Sequence, residues 1–305
     1  MTVHLDWIES LVGVVDQQGF FRAGLVLGRS QSRVSTQVQN LERELGSKLI
    51  DRTTRPVTLT AAGEVFIGRA RDILREVQAA RAEIAALGGA AYGTVRIAVP
   101  PSIAGLVLPG LLDRFRRSAP NVLVEVVEGA TGTLAAQLLQ HVAVLALVPR
   151  PYVESVPEIE YVPLWREALY LLVAPTHRLA DRQEASIREL NGETVITPGS
   201  GDGAQGISPE VAPFLADVVP AATRRVASPN TLASLVRVGL GVGVMSRLGL
   251  DLTGVEGIRI IRITEPQVMR EIVLARRKDL KPTPARVEFE RFLRSAPVPH
   301  GAEPV

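Results

Sequence analysis

Residues 19–60 constrain the fold of this chain more than any other stretch. An apolar segment, Phe20 to Leu27, passes through a polar turn at 28–30 into a longer amphipathic segment, Gln31 to Leu45. The spacing predicts two helices joined by a tight turn. A basic segment that contains proline, 48–60, follows and is typical of a β-hairpin. This order predicts an all-α winged helix-turn-helix, a fold that binds double-stranded DNA.

The second helix of this motif has two distinct faces. Val34, Val38, Leu41 and Leu45 recur at helical spacing and predict a buried stripe, and Ser30 is the expected N-cap. The opposite face is polar and rich in donors, with one acid, Glu42, nearby; such side chains match base edges in the major groove. An ordinary amphipathic helix with a solvated polar face is the alternative. The expected base-facing residues are Gln31, Ser32, Arg33, Ser35, Thr36 and Gln39.

Affinity for DNA has to come from a local patch, because the formal net charge of the chain is only +2. Cations on the wing and near the first helix suit phosphate contacts, which position a protein without reading the base sequence. The residues expected at phosphates are Arg22, Lys48, Arg52, Thr53 and Arg55.

A long helix is predicted from Thr60, its expected cap, to about Leu87. Apolar residues alternate along it at spacings of four and three, as in a helix that pairs with another helix. Docking of this helix on its own domain is the alternative. The apolar positions are Phe66, Ala70, Ile73, Val77, Ala80, Ile84 and Leu87.

The glycine-rich segment 87–93 predicts a hinge, and strand-like and helix-like segments alternate beyond it. Such alternation indicates α/β sheets with helices on both faces. Strands are predicted at 94–99, 122–128, 142–148, 169–174, 193–197, 224–226, 242–245 and 271–275. Helices are predicted at 104–117, 131–139, 231–238 and 284–293.

Residues 4–60 resemble the DNA-binding domain of the LysR-type transcriptional regulators. The matching positions are Phe20, Ala23, Leu27, Ser30, Gln31, Val34, Ser35, Leu41, Glu42, Leu45, Gly46, Leu49, Arg52, Leu59, Thr60 and Gly63. The chain departs from the family at Gly24, usually alanine, at Ser32, usually proline, and at Ile50, usually phenylalanine. The resemblance continues more weakly through 169–179, 228–246 and 287–293.

The resemblance implies a domain organisation. Residues 1–60 would form the DNA-binding domain and 61–92 the linker helix and hinge, which pairs with its mate in a second subunit. Residues 93–305 would form a two-subdomain α/β effector domain of periplasmic-binding-protein type. Subdomain I would cover 93–155 and 268–296, and subdomain II would cover 160–265, with crossovers near 149–163 and 264–269.

A ligand cleft is expected outside the carboxyl ends of the strands, where open α/β sheets bind ligands and where this family places its effector contacts. Small hydroxyl residues near helix starts suit a carboxylate or another anion. They could instead be N-caps. The expected effector-binding residues are Ser102, Thr131, Thr197, Ser200 and Ser228. The family usually carries glycine and aspartate where 141–144 lie, so one wall of the cleft departs from the pattern.

Other classes of function have weaker support. Residues 201–206 satisfy GxGxxG, which motivates a nicotinamide-dependent oxidoreductase, but no acidic residue lies about 20 positions on. A solute-binding protein has a similar two-lobed fold but requires export. The start, 1–10, lacks a signal-peptide pattern, and the longest apolar runs are too short for a membrane span. We therefore expect a cytoplasmic protein with no membrane partner.

The expected function is sequence-specific regulation of transcription without catalysis, cofactor or metal. The chain has no cysteine and hence no thiol redox switch, and its four histidines are scattered. The resemblance implies an interrupted palindromic operator in double-stranded DNA, a small-molecule effector, self-association as a dimer and further to a tetramer, and RNA polymerase as a candidate partner.

Overall fold

The computed structural model describes residues 2–86, 91–199, 206–215, 217–265 and 267–305; for 82, 83, 85, 86 and 265 it describes the backbone alone. The chain divides into two compact units, Met1–Gly88 and Gly89–Val305. Leu87 and Ser200 lie outside the described residues, as do most of the hinge at 87–93 and of the GxGxxG segment. Within the described ranges, no helix is both long and apolar enough to cross a membrane.

The first unit is a helix-turn-helix with a short wing. Its elements are α1 (Leu5–Asp16), α2 (Phe20–Leu27), α3 (Gln31–Leu45), β1 (Ile50–Asp51), β2 (Thr58–Leu59) and α4 (Ala61–Ala86). The predicted bounds of α2 and α3 are confirmed, whereas α1 was not predicted. Gly28 and Gly46 adopt left-handed backbone, which ends α2 and α3. Buried residues of α1, α3 and the wing form one core, which includes Leu11, Val34 and Leu49.

The second unit begins with a parallel sheet. Its first elements are β3 (Gly93–Val99), α5 (Pro101–Leu106), α6 (Leu108–Ser118), β4 (Val122–Glu128), α7 (Leu134–Leu139) and β5 (Leu145–Pro149). β3 lies between β4 and β5 and is parallel to both. The single helix expected at 104–117 is two helices, because Pro109 can occupy only the first turn of a helix.

A second sheet follows, and the chain then returns to the first. These elements are β6 (Ile159–Val173), β7 (Glu184–Ser186), β8 (Thr194–Pro198), β9 (Ala222–Val226), α8 (Pro229–Arg237), β10 (Val242–Ser246), α9 (Arg247–Leu252), β11 (Arg259–Glu265), β12 (Met269–Arg277), α10 (Pro284–Ser295) and β13 (Ala302–Pro304). β8 is parallel to β9 and β10, while β12 joins the first sheet antiparallel to β5.

The first crossover differs from our expectation. We expected a crossover near 149–163 and a subdomain II that begins at 160. Instead β6 is one strand of 15 residues. Its first part, Ile159–Ala168, pairs with β12, and its last part, Leu169–Val173, pairs with β10 and β11. The chain therefore passes between the sheets near Ala168, and the return passage lies between β11 and β12.

The strand expected from 142 begins later, at Leu145. The amides of Val142 and Ala143 both donate to the carbonyl oxygen of Gln137, which closes a turn after α7. His141 adopts left-handed backbone with φ of 59° in this turn, a conformation that favours glycine. The left-handed backbone explains why the family usually carries glycine in this turn. The His141 side chain contacts the Arg277 guanidinium.

Candidate DNA-binding surface and effector cleft

The start of α3 is fixed by side-chain hydroxyls. Ser30 Oγ accepts a hydrogen bond from the Arg33 amide at 3.2 Å, which confirms the predicted N-cap. Ser30 Oγ and Ser32 Oγ lie 3.0 Å apart, so one hydroxyl donates to the other. Ser32 therefore replaces the proline of the family with a second polar group at the helix start, and leaves the helix start intact.

Most of the predicted base-facing side chains are exposed on α3. Gln31, Ser32, Arg33, Thr36 and Gln39 are exposed, whereas Val34, Val38 and Leu41 are fully buried. Ser35 is half-buried, and its Oγ accepts from Arg52 Nη1 at 3.0 Å. Gln37 is buried and accepts a hydrogen bond from Ser10 Oγ at 2.7 Å. It therefore belongs to the core, a role that the helical spacing of apolar residues did not predict.

The predicted phosphate-binding residues differ in how they are held. Arg22, Lys48, Arg52, Thr53 and Arg55 are all exposed to some degree. Arg52 is the most constrained, because its guanidinium also lies 4.7 Å above the Phe20 ring. Thr53 donates from both its amide and its hydroxyl to Asp51 Oδ1. These bonds hold the pKa of the Asp51 carboxyl below its usual range, so a negative charge stays on the wing.

Two charged residues of this unit hold the fold. Glu42 is buried with 3% of its surface exposed and therefore does not join the exposed side chains of α3. Arg29 contacts α1: its Nη1 donates to the Asp6 carbonyl oxygen at 3.1 Å, and its Nη2 lies 2.7 Å from Glu9 Oε2. From sequence alone, both residues would be taken as surface charges. Helical spacing does not show which charged side chains find partners on another element.

The predicted pairing face of α4 is partly used within its own unit. Ala70 is fully buried in the core of the first unit and Phe66 packs against that core, so we correct these two positions. Leu74 also packs against this core, whereas the remaining predicted positions are more open. Ile73 is 40% exposed, Ile84 is 70% exposed and Ala80 is exposed, while Val77 is half-buried.

The predicted effector residues lie at the carboxyl ends of the parallel strands. Ser102 and Thr131 are buried after β3 and β4, Thr197 is fully buried at the end of β8, and Ser228 is half-buried after β9. Ser102 and Thr131 do not occupy the N-cap positions, which are held by Pro100 and Ala130, and Ser228 is the N-cap of α8 but makes no cap hydrogen bond with its side chain. Thr197 Oγ1 accepts from the Ser208 amide at 3.1 Å, so this hydroxyl has a structural partner.

A cavity of about 600 Å³ opens beside one of these strand ends. It is lined by α5, α6, β4 and the start of α8, including Ala104, Glu128 and Asn230. Ser228 lines it, whereas Ser102, Thr131 and Thr197 do not. The structure thus places one of the four described candidates at this cavity.

A buried polar cluster between the two sheets was not predicted. Arg270 at the start of β12 pairs with Glu167 of β6 at 2.9 Å and with Glu210 at 3.1 Å. Tyr152 lies close by, and burial raises the pKa of its phenol above the usual range. Among the described residues, Tyr152 Oη and Glu210 Oε1 find no well-formed hydrogen-bond partner. The three charged residues are far apart in sequence, so no spacing pattern could reveal the cluster.

Comparison with known proteins agrees with both units. The profile of the bacterial regulatory helix-turn-helix protein, lysR family, matches residues 5–64, and that of the LysR substrate binding domain matches 88–297. The HTH-type transcriptional regulator ShiR of Corynebacterium glutamicum (strain R) is 32% identical over 244 residues, which cover 79% of this chain and 82% of that protein. The hydrogen peroxide-inducible genes activator of Dickeya chrysanthemi is 29% identical over 293 residues, covering 93% and 92%.

A solved structure shares the fold along almost the whole chain. Full-length CbnR complexed with its target DNA has a TM-score of 0.65 at 23% identity and covers 95% of this chain and 99% of its own. A winged helix-turn-helix followed by a two-lobed binding domain defines a transcriptional regulator that responds to an effector, and not an enzyme. The chain belongs to the LysR family of these regulators.

Proposed function

We propose that a dimer of this chain binds an interrupted palindromic operator in double-stranded DNA. The exposed donors of α3 carry this proposal, because Gln31, Arg33 and Gln39 are open to solvent on a helix whose apolar stripe is buried. Amide and guanidinium groups can each make two hydrogen bonds with a base edge. Arg22, Lys48 and Arg55, exposed around this face, suit the flanking phosphates.

The exposed apolar side of α4 supports dimerisation. Ile73, Ala80 and Ile84 lie on one side of the helix and remain open to solvent in a single chain. Pairing with the same helix of a second chain would remove this surface from water. Two-fold symmetry would then present two copies of α3 to two half-sites, which is why the operator should be palindromic.

A small molecule bound between the two subdomains would control DNA binding. Ser228 supports this role best, because its hydroxyl makes no cap hydrogen bond and it lines the cavity; Ser102 and Thr131 lie at the ends of neighbouring strands and belong to the same proposed set. Thr197 and Ser200 belong to the same proposed set. The response would come from binding and not from thiol oxidation, because the chain has no cysteine. Altered placement of DNA-binding domains, within a tetramer, would change promoter shape and access of RNA polymerase.

Fluorescence anisotropy tests the proposal on the native upstream DNA and on a scrambled duplex at two salt concentrations. We expect tighter binding to the native duplex, and we expect this preference to persist at the higher salt concentration because base contacts are less sensitive to salt than phosphate contacts. Equal binding to both duplexes, abolished by salt, would contradict sequence-specific recognition at that site.

A further inference from the structure

The wing of the DNA-binding unit is too small to hold its own position. Strands β1 and β2 have two residues each, paired as Ile50 with Leu59 and Asp51 with Thr58. Isolated two-stranded hairpins are marginal in water even when they are longer. The orientation of the wing on α3 must therefore depend on contacts with the helices.

Glu42 of α3 supplies such a contact from inside the unit. Its Oε1 accepts hydrogen bonds from the amides of Leu49, at 2.9 Å, and Ile50, at 3.2 Å. These are the last residue before β1 and the first residue of β1. Because the carboxylate is buried beside Leu49 and Ile50, water competes poorly for these two amides.

The second oxygen of the same carboxylate faces two cations of the wing. Lys48 Nζ lies 3.2 Å from Glu42 Oε2, and Arg52 Nη2 lies 3.7 Å from it. Arg52 also donates to Ser35 of α3 and stacks over the Phe20 ring of α2. One guanidinium thus touches α2, α3 and the carboxylate that holds the wing.

We infer that Glu42 is a positioning residue for DNA binding, which fixes the wing and its cations in register with the base-facing side of α3. The inference rests on the proposed DNA contacts of α3 and the wing. Glu42 acts through the backbone amides of Leu49 and Ile50, while Ser35 and Phe20 also hold Arg52. A wing that is free to move would contact phosphates in many registers, and the preference for one sequence would weaken more than the attraction to DNA in general.

Two substitutions separate the backbone contact from the charge. Glu42→Gln keeps an oxygen that can accept from both amides, and we expect amide exchange at 49–50 to stay slow and the ratio of native to scrambled affinity to stay within about twofold. Glu42→Ala removes the acceptor, so both amides should exchange faster. The affinity ratio should fall about tenfold, similar to the effect of one mismatched base pair. Hydrogen exchange by mass spectrometry and anisotropy on the full chain provide the two readouts.

Val14→Ala serves as the destabilised control, because Val14 is fully buried in α1 and lies in the same core. It should lower the unfolding temperature and keep the affinity ratio. An equal fall of the ratio in Val14→Ala and Glu42→Ala would overturn the inference, as would unchanged exchange and unchanged ratio in Glu42→Ala. So would a loss in Glu42→Gln as large as in Glu42→Ala. If the unaltered protein does not prefer its own DNA, the proposed function fails, and the exchange data alone decide whether Glu42 holds the wing.

Discussion

At the residue scale, the departures from the family pattern have local physical reasons. Gly24 stands where the family has alanine, and a Cβ built there would lie 2.6 Å from the Arg29 carbonyl oxygen and 3.3 Å from the Gln31 amide nitrogen. The first atom belongs to the backbone of the turn between α2 and α3 and the second to the first residue of α3, so this backbone lies unusually close to α2. The cost of glycine in a helix is offset here by a close approach that no other residue permits.

We predict that Gly24→Ala destabilises the first unit, although alanine is favoured over glycine within a helix by about 1 kcal/mol. The turn would have to move away from α2 to make room for the Cβ. Gly110→Ala in α6 is the matched control, because no atom lies within 4 Å of the added Cβ and the propensity gain should appear undiminished. Calorimetry should show a lower unfolding temperature for the first variant and a higher one for the second; a rise in both would contradict the steric argument.

Gln31 at the start of α3 is the residue from which we expect a base contact. Gln31→Ala should reduce the discrimination between native and single-substituted duplexes by about 1–3 kcal/mol if the amide makes two hydrogen bonds with one base. Binding to scrambled DNA should change little, because phosphate contacts are retained. Gln78→Ala makes the same chemical change on the exposed surface of α4 and should leave the discrimination intact. Equal weakening on all duplexes would exclude the contact.

At the element scale, regular apolar spacing predicted the bounds of several helices and strands correctly. It did not predict how strands pair with one another. The bounds of α2, α3 and β4 follow from periods of 3.6 and 2 within one element. Strand β6 was predicted only in its last part, because Pro163 interrupts the pattern. In the structure, the register with β12 shifts beside Pro163, which lets the strand continue past a residue that lacks an amide proton. Exposed hydroxyl positions could be proposed from sequence, whereas the buried contacts of Glu42 and Arg29 required the three-dimensional arrangement.

The apolar side of α4 leads to a prediction on assembly. Ile84→Asp should raise the dimer dissociation constant about 100-fold or more, because pairing would bury two carboxylates. The monomer should fold normally, since Ile84 is 70% exposed. Val65→Asp is the control: Val65 is 78% exposed but lies about a quarter turn away from the Ile73–Ile84 side. Sedimentation equilibrium measures both dissociation constants. An equal increase in the two variants would contradict pairing through the Ile73–Ile84 side.

At the scale of the whole effector unit, ionisable side chains of β6, β12 and the segment between β8 and β9 form one buried cluster. Burial raises the pKa of the Glu210 carboxyl above its usual range, Arg270 opposes this shift, and Glu167 adds to it. A carboxyl of this kind keeps its proton in the folded state at pH values where the unfolded chain has lost it. Its contribution to stability is therefore complete below the unfolded pKa and is lost as pH rises through the folded pKa.

We predict that Glu210→Gln removes this part of the pH dependence, because an amide does not titrate. As pH rises above about 4.5, the unfolding temperature of the variant should increase relative to that of the unaltered protein. Glu189→Gln is the control of opposite sign: a hydrogen bond from Arg178 lowers the pKa of Glu189, so that variant should change the acid side of the profile. Parallel profiles for the unaltered protein and Glu210→Gln would contradict the assignment.

The single strand β6 limits how the effector unit can move. Hydrogen bonds to β12 hold one end of this strand, and hydrogen bonds to β10 and β11 hold the other. The two sheets are therefore joined by a continuous, hydrogen-bonded strand and not by a flexible loop. A rotation of one sheet relative to the other would therefore have to twist β6 near Ala168, where its pairing partners change.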